Sequence, residues 1–478
     1  MPGVSVRKVL HWSHKIPNKC YSRLTMEVVT TDFPLFVFTV APTGLGHIRV
    51  MNALQEGLPP NTPFEVIGLQ DAGLNRAHAL LSRSPLFSRI FEFYQTHAFV
   101  ERLFSGLYIR YLQTHGKEAM TGFAYVAKIH PDQKQWVIVS THFALAFSIA
   151  ASKQKIKEKF GVDIVLCVIV TDDTQQRAWV VKDADLVFVP STLTEKAMVE
   201  LGMPPEKMRV VSYPVSPKFA QKLSTEEYQH VLEQLDPHQT VPLQIVIPIS
   251  GAAVQLPYLV DIIETLSYGN FFFTVVGEDS PFTSAFFAKI TQMSHVQTSI
   301  GMSNLETVEY YESLFYQPSR PAVEITKPSE QTFKALLEPN ERGGVILLFT
   351  QPVGRQERDN LSFLQRHGLI PNETEQQTLE GLLLSDKKLS IEEAAHLHEL
   401  ASHWRGIQLP ANSHKAALLI KRLKQEGVFS AMLSYVPVQE KELMSNGVEM
   451  IWNEIQKFTV GEQPSSTARA TSAPLHST

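Results

Sequence analysis

Short apolar runs bounded by turn residues recur along this chain, and each is followed by a longer segment with helical spacing. That alternation predicts an α/β protein whose parallel strands are covered on both faces. In the first half the runs are PLFVFTVA (34–41), PFEVIGL (63–69), QWVIVST (135–141), IVLCVIVT (164–171), DLVFVPS (185–191) and MRVVSYP (208–214). Leu, Val and Ile fill both parities of these runs, so neither face is left for water. A second series follows with LQIVIPIS (243–250), NFFFTVVG (270–277), AVEITK (322–327) and GVILLFT (344–350). Two similar doubly wound units are expected.

Between the two series lies a helix opened by a capping box, Ser224 with Glu227 three residues on, and then LDPHQTVP (235–242). The expected division is an N-terminal extension (1–32), an N-terminal Rossmann-like domain (33–222), a C-terminal Rossmann-like domain (223–460) and a disordered tail (461–478). After Gly368 the strand pattern gives way to helical spacing, including a helix capped by Ser390 and Glu393. A helical C-terminal portion is expected there. In NGVEMIWNEIQKF (446–458), Val448, Ile451, Trp452 and Ile455 recur at helical spacing, so this segment should lay one apolar face on the body.

Composition narrows the class without naming a function. The 478 residues carry 43 Lys+Arg against 48 Asp+Glu, a net charge of -5, so no basic surplus points to nucleic acid. Cys20 and Cys167 are the only cysteines, which suits a reduced, cytoplasmic chain and excludes a disulfide framework. No apolar run approaches the length of a membrane span, so any membrane contact is expected to be peripheral.

Three segments are placed to carry chemistry. The turn PTGLGH, Pro42 to His47, follows the first strand and precedes a helix. Gly44 and Gly46 would let backbone N–H groups approach an anionic or sugar ligand; the alternative is a tight turn with a chance histidine. Asp172 and Asp173 end the buried strand VIVTDD, where ligands of open α/β sheets sit, although such residues also cap turns. The segment EITKPSEQTFKALL (324–337) ends a strand in Lys327-Pro328, turns through Ser329 and enters a helix with Thr332. Next comes QPVGRQERDN (351–360), rich in hydrogen-bonding groups. Lys327 reads as a phosphate partner or as a solvated charge.

Taken in order, these segments resemble the GT-B glycosyltransferases of family 28, in the monogalactosyldiacylglycerol synthase and processive diacylglycerol glucosyltransferase branch. The likeness runs through VIVSTHFALAFSIA (137–150), VIVTDD (168–173), Trp179, ADLVFVPS (184–191), LGMPPEKMRVVSYPVSPKF (201–219), ITKP (325–328) with Thr332, and Gln356, Glu357 and Asn360, covering residues 34 to 368. It implies a GT-B fold, two Rossmann-like domains facing across a cleft. It further implies a nucleotide sugar, usually UDP-linked, as co-substrate with no other cofactor, and an acceptor that is often a lipid at a membrane surface, here the inner face. An inverting hexosyl transfer that needs no metal is the implied reaction; nucleotide-sugar epimerisation, or binding with weak catalysis, is the alternative.

Carried over, His47 serves as or positions the acceptor's base, with Asp172 as its partner. Gly251, Lys327, Pro328, Ser329, Thr332, Gln356, Glu357 and Asn360 fall on the donor side; Gly44, Gly46, His142 and Trp179 fall on the acceptor side. The chain departs from the family in having Thr43 and Leu45 around Gly44, Ser329 and Glu330 where glycines are common, and Ser250-Gly251-Ala252-Ala253 after the first C-terminal strand. A carboxylate at Glu330 is repulsive to a diphosphate unless it points elsewhere.

Residues 86–112 are aromatic-rich with Arg89, Arg102 and Arg110 among them, and read either as two domain helices or as a membrane-facing amphipathic patch. His396 and His398 lie two apart on an expected helix, so they face different directions and do not share a metal. His142 reads equally as a cleft residue or a packed loop histidine, and Trp179 as a stacking platform or an interior side chain.

Overall fold

The buried runs assemble as two separate sheets. A computed structural model describes residues 10–11, 34–40, 45–68, 110, 112, 117–249, 253, 255–349, 354–385 and 387–460. The first sheet holds β1 (Leu10–His11), β2 (Leu35–Val40), β3 (Phe64–Gly68), β4 (Gln135–Ser140), β5 (Asp163–Ile169), β6 (Leu186–Val189) and β7 (Met208–Val210), in the order β1-β3-β2-β4-β5-β6-β7. All pairings are parallel except that β1 runs antiparallel to β3, so two residues of the N-terminal extension join the sheet edge.

The second sheet holds β8 (Leu243–Pro248), β9 (Phe271–Glu278), β10 (Val296–Gly301), β11 (Val323–Thr326), β12 (Val345–Phe349) and β13 (Gly406–Leu409), ordered β10-β9-β8-β11-β12-β13 and wholly parallel. Every residue of β2, β6, β11 and β12 is buried, as strands with no polar face require. Among the helices that cover the sheets are α1 (Leu45–Glu56), α2 (Phe143–Phe160), α3 (Thr192–Glu200), α4 (Asn304–Leu314), α5 (Arg355–Arg366) and α6 (Gly447–Val460).

Besides β1, two strands depart from the sequence expectation. VQTSIG has three polar residues in succession and forms the outer edge strand β10. GIQL forms β13 inside the portion expected to be wholly helical; it is too short to register as a run. The helix expected after Ser329 is a seven-residue 3-10 turn, Glu330–Leu336. The capping boxes at Ser224/Glu227 and Ser390/Glu393 are both formed.

The last helix returns to the first sheet although the sequence division groups it with the second. Val448, Ile451 and Ile455 are buried in α6, the Trp452 Nε1 donates to the Leu54 carbonyl at 3.0 Å, and its ring meets Phe36 edge-on at 5.0 Å. Arg209 reaches Glu454 at 3.1 Å on the flank. A Cβ on Gly447 would lie 2.3 Å from the Ser212 carbonyl oxygen, so only glycine lets the helix start so close to the chain after β7.

This return strap joins a core that is continuous between the sheets. Phe36, Phe38, Tyr213, Phe333, Phe363 and Ile451 belong to one buried cluster. At its centre the Tyr213 and Phe333 rings, one from each half, stack with centroids 3.8 Å apart and planes 3° apart. Such a pair contributes ~0.5–1.5 kcal/mol beyond the area it buries. The two halves are thus packed against each other at the place where their strand ends converge.

Candidate functional site

In each sheet the strand order reverses once, between β2 and β4 in the first and between β8 and β11 in the second. Ligands of open α/β sheets bind beyond the carboxyl ends of the strands at such reversals. His47 follows β2, His142 follows β4, and Lys327 follows β11, so sequence position alone delivers all three to these points.

On the N-terminal side, His47 sits in the first turn of α1. Its Nδ1 hydrogen-bonds the Thr171 hydroxyl at 3.2 Å, and its carbonyl accepts from the Thr141 hydroxyl at 3.1 Å. Strand ends β4 and β5 therefore both hold it. The His142 ring lies edge-on to it at 4.8 Å and is stacked on Phe143. His142 is 3% exposed and caps α2, its Nδ1 accepting the Ala144 N–H at 3.3 Å, as the reading of a packed histidine expects. Trp179 is an interior residue, 1% exposed, whose ring lies 6.3 Å from that of His47. Gly46 is part of α1; Gly44 lies outside the described residues.

Asp172 and Asp173 follow β5 and do different things. Asp173 accepts from Ser191 and from the Thr194 hydroxyl (2.8 Å) and pairs with Arg366 at 2.6 Å, so it ties α3 and α5 to the strand end. Asp172 faces the second half, where the Asn360 Nδ2 donates to its Oδ1 at 2.9 Å. Burial pushes the Asp172 carboxyl up to about 7; the Asn360 amide and Lys327 oppose this, while Glu330 and Glu357 add to it.

On the C-terminal side, the Lys327 Nζ donates to the Glu357 Oε1 at 2.8 Å. Burial pulls the Lys327 ammonium down, but Glu357, Glu330 and Asp172 outweigh it, so the lysine is held above its ordinary range and charged. Pro328 offers its carbonyl to the Asn360 Nδ2 at 3.4 Å, and the Thr332 hydroxyl donates to the Ser329 carbonyl at 2.7 Å. Gln356 and Glu357 lie in the first turn of α5. Asn360, fully buried, has its amide engaged by the N-terminal half, since its Oδ1 also accepts the Asp173 N–H at 2.9 Å. It is aimed at Asp172, and no sequence spacing announces that.

Two residues that were not singled out as site residues also belong here. Arg49, one turn into α1, forms an ion pair with Glu330 across the junction, and its guanidinium lies 5.1 Å from the centre of the Tyr311 ring. Arg366, which holds Asp173, is likewise unmarked in the sequence. Gly251 and the 351–353 segment lie outside the described residues, as does the 86–112 patch apart from Arg110 and Leu112. His396 is exposed, and His398 hydrogen-bonds the Glu426 carbonyl through Nε2 at 2.6 Å. Among the described residues no group of three or more His, Cys, Asp or Glu is placed to hold a metal ion, and no helix is long and apolar enough to cross a membrane.

Comparison with known proteins bears on this arrangement. Residues 86–215 match the model of the monogalactosyldiacylglycerol (MGDG) synthase family. No curated protein matches the chain. Solved structures with a similar outline include the UDP co-structure of MnaA from S. aureus (10% identity, 91% of this chain and 99% of that one, TM-score 0.46). Another is the UDP-GlcNAc 2-epimerase from Neisseria meningitidis bound to UDP-GlcNAc (12%, 89% and 99%, TM-score 0.44). A third is HepE from Anabaena in complex with UDP and glucose (11%, 89% and 99%, TM-score 0.44). Likeness at this level carries no argument about the reaction. With two Rossmann-like domains facing each other at their strand ends, and with residues 86–215 matched by that model, the chain is similar to the GT-B glycosyltransferases of family 28 in its MGDG synthase branch.

Proposed function

We propose that this protein is a glycosyltransferase that moves a hexose or N-acetylhexosamine from a UDP-linked donor to a hydroxyl acceptor, a lipid presented at the cytoplasmic face of a membrane. The observation that carries the reading is the convergence of His47 and Asp172 with Lys327, Glu357 and Asn360, from opposite sheets, around a contact of 2.9 Å. The match to the MGDG synthase family model over residues 86–215 supports it.

In this reading the acceptor oxygen attacks the anomeric carbon from the face opposite the diphosphate, which inverts the configuration. Its proton passes to His47, held in place by Thr171. The bond from the anomeric carbon to the diphosphate oxygen breaks, and its electron pair leaves with UDP. Lys327 and the N-terminal turn of α5 meet the developing charge, which is how the step would run without a metal.

A second reading, nucleotide-sugar epimerisation, needs a further proton-transfer group in the cleft, and the Glu330 carboxylate beside Arg49 adds one. The test incubates the purified protein with UDP-glucose, UDP-galactose and UDP-N-acetylglucosamine, with and without lipid extract. Transfer predicts acceptor-dependent release of UDP with a labelled lipid product. A 2-epimerised donor without a glycoside would favour the second reading, and failure to bind any of the three donors would sink both.

A further inference from the structure

We infer that Glu330 and Arg49 form a lock across the domain junction that the diphosphate of a nucleotide must displace, making Glu330 a determinant of how tightly this protein takes a nucleoside diphosphate. The inference rests on the nucleotide-sugar reading above and adds to it a residue that opposes the ligand.

Glu330 opens the 3-10 turn after β11, and its carboxylate leaves its own domain to pair with Arg49 on α1. The two side chains are only 14% and 13% exposed. A Cβ built on Gly46 would lie 3.0 Å from both Cδ and Oε2 of Glu330, so the carboxylate rests against the bare backbone at the start of a twelve-residue helix. Backbone of this kind, with the positive end of a helix beneath it, favours an anion. Here a side chain of the protein supplies the anion.

The neighbouring charges are arranged the same way. Burial pushes the Glu330 carboxyl up, but Arg49 and Lys327 outweigh it and hold the group below the usual carboxylate range, so it is ionised. Lys327 is engaged by Glu357 at 2.8 Å. Arg49 and Lys327 are thus each matched by a carboxylate of the C-terminal domain. An incoming diphosphate brings more negative charge into this space and is repelled until Glu330 releases Arg49. The Arg49 Nε is buried without a hydrogen-bond partner and the guanidinium stays over Tyr311, so the fork is already in place for a phosphate once freed.

The experiment measures binding of UDP and of uridine to the full chain by calorimetry, with thermal unfolding by circular dichroism, for the wild type, Glu330→Gln and the double variant Arg49→Gln/Glu330→Gln. The lock predicts that Glu330→Gln binds UDP about tenfold tighter than the wild type, and that UDP raises its Tm more than that of the wild type. Uridine, which has no diphosphate, should show no such gain, and the double variant should lose it. Glu330→Gly, which gives water access to Arg49, serves in place of the amide if that variant does not fold. Equal UDP affinity in wild type and Glu330→Gln, an equal gain with uridine, or a gain that survives loss of Arg49 overturns the lock and leaves the nucleotide-sugar reading standing. UDP that binds neither protein overturns both.

Discussion

Replacing His47 with alanine should lower sugar transfer by ~10²–10⁴-fold, the range for a missing general base, and leave UDP affinity nearly unchanged. His47 is held by Thr171 and Thr141 at the ends of the N-terminal strands, whereas Lys327, Glu357 and the 330–336 turn belong to the other domain. Loss of the imidazole therefore removes proton transfer without removing a donor contact. Lys327→Ala should behave in the opposite way, weakening donor binding. The wild-type rate should show a matching pH dependence. The Asp172 carboxyl is held up at about 7, so it is neutral below that pH and ionised above it. In the base-partner role that the family resemblance implies for it, Asp172 acts in its ionised form, so kcat should rise as pH rises through about 7. Asp172→Asn should flatten that limb. A His47→Ala protein that keeps its turnover and loses its UDP affinity would reject these roles.

A second large effect is expected on stability. The Lys334 ammonium is buried beneath the junction, donating to Glu324 at 2.7 Å and to the Tyr311 hydroxyl at 2.8 Å, and it lies 3.9 Å from the centre of the Phe315 ring. Glu324 is 1% exposed on strand β11. Burial pulls the Lys334 ammonium below its usual range even with that partner present. Removing the partner in Glu324→Ala leaves an uncompensated buried cation, a change that costs about 3–5 kcal/mol. A typical domain has only about 5–15 kcal/mol to lose. Urea denaturation should show that loss, and Glu324→Ala/Lys334→Met should recover much of it, because the double change removes both charges. Tyr311 links this cluster to the site, since the Arg49 guanidinium lies 5.1 Å from the centre of its ring. A loss in Glu324→Ala of less than about 1 kcal/mol, the worth of an exposed pair, would contradict this account.

What could be read from the sequence follows from how each feature is encoded. Strands such as β6 and β12 are buried on both faces and apolar at every position, so the runs stand out. VQTSIG lies at a sheet edge and GIQL spans four residues, so neither carries a long apolar run to mark it. Capping boxes were legible because both partners lie within one turn. The site divides along the same line. His47, Asp172 and Lys327 are strand-end residues whose place follows from local pattern. The Asn360–Asp172 bond joins residues 188 apart and the Arg49–Glu330 pair joins residues 281 apart, and no local pattern encodes such distances. The sequence did expose the problem that Glu330 poses, a carboxylate in a donor turn; only the packing of the two domains supplies Arg49 as its solution.

One ligand site built from both domains, where their strand ends meet, should respond to ligand as a unit, and hydrogen–deuterium exchange of the full chain with and without saturating UDP-sugar reads this out. Slowed exchange is expected at the start of α1, around Asp172, in the 327–336 turn and in the first turns of α5, together. Protection confined to one domain, or lying away from these four segments while the ligand is bound, would contradict it.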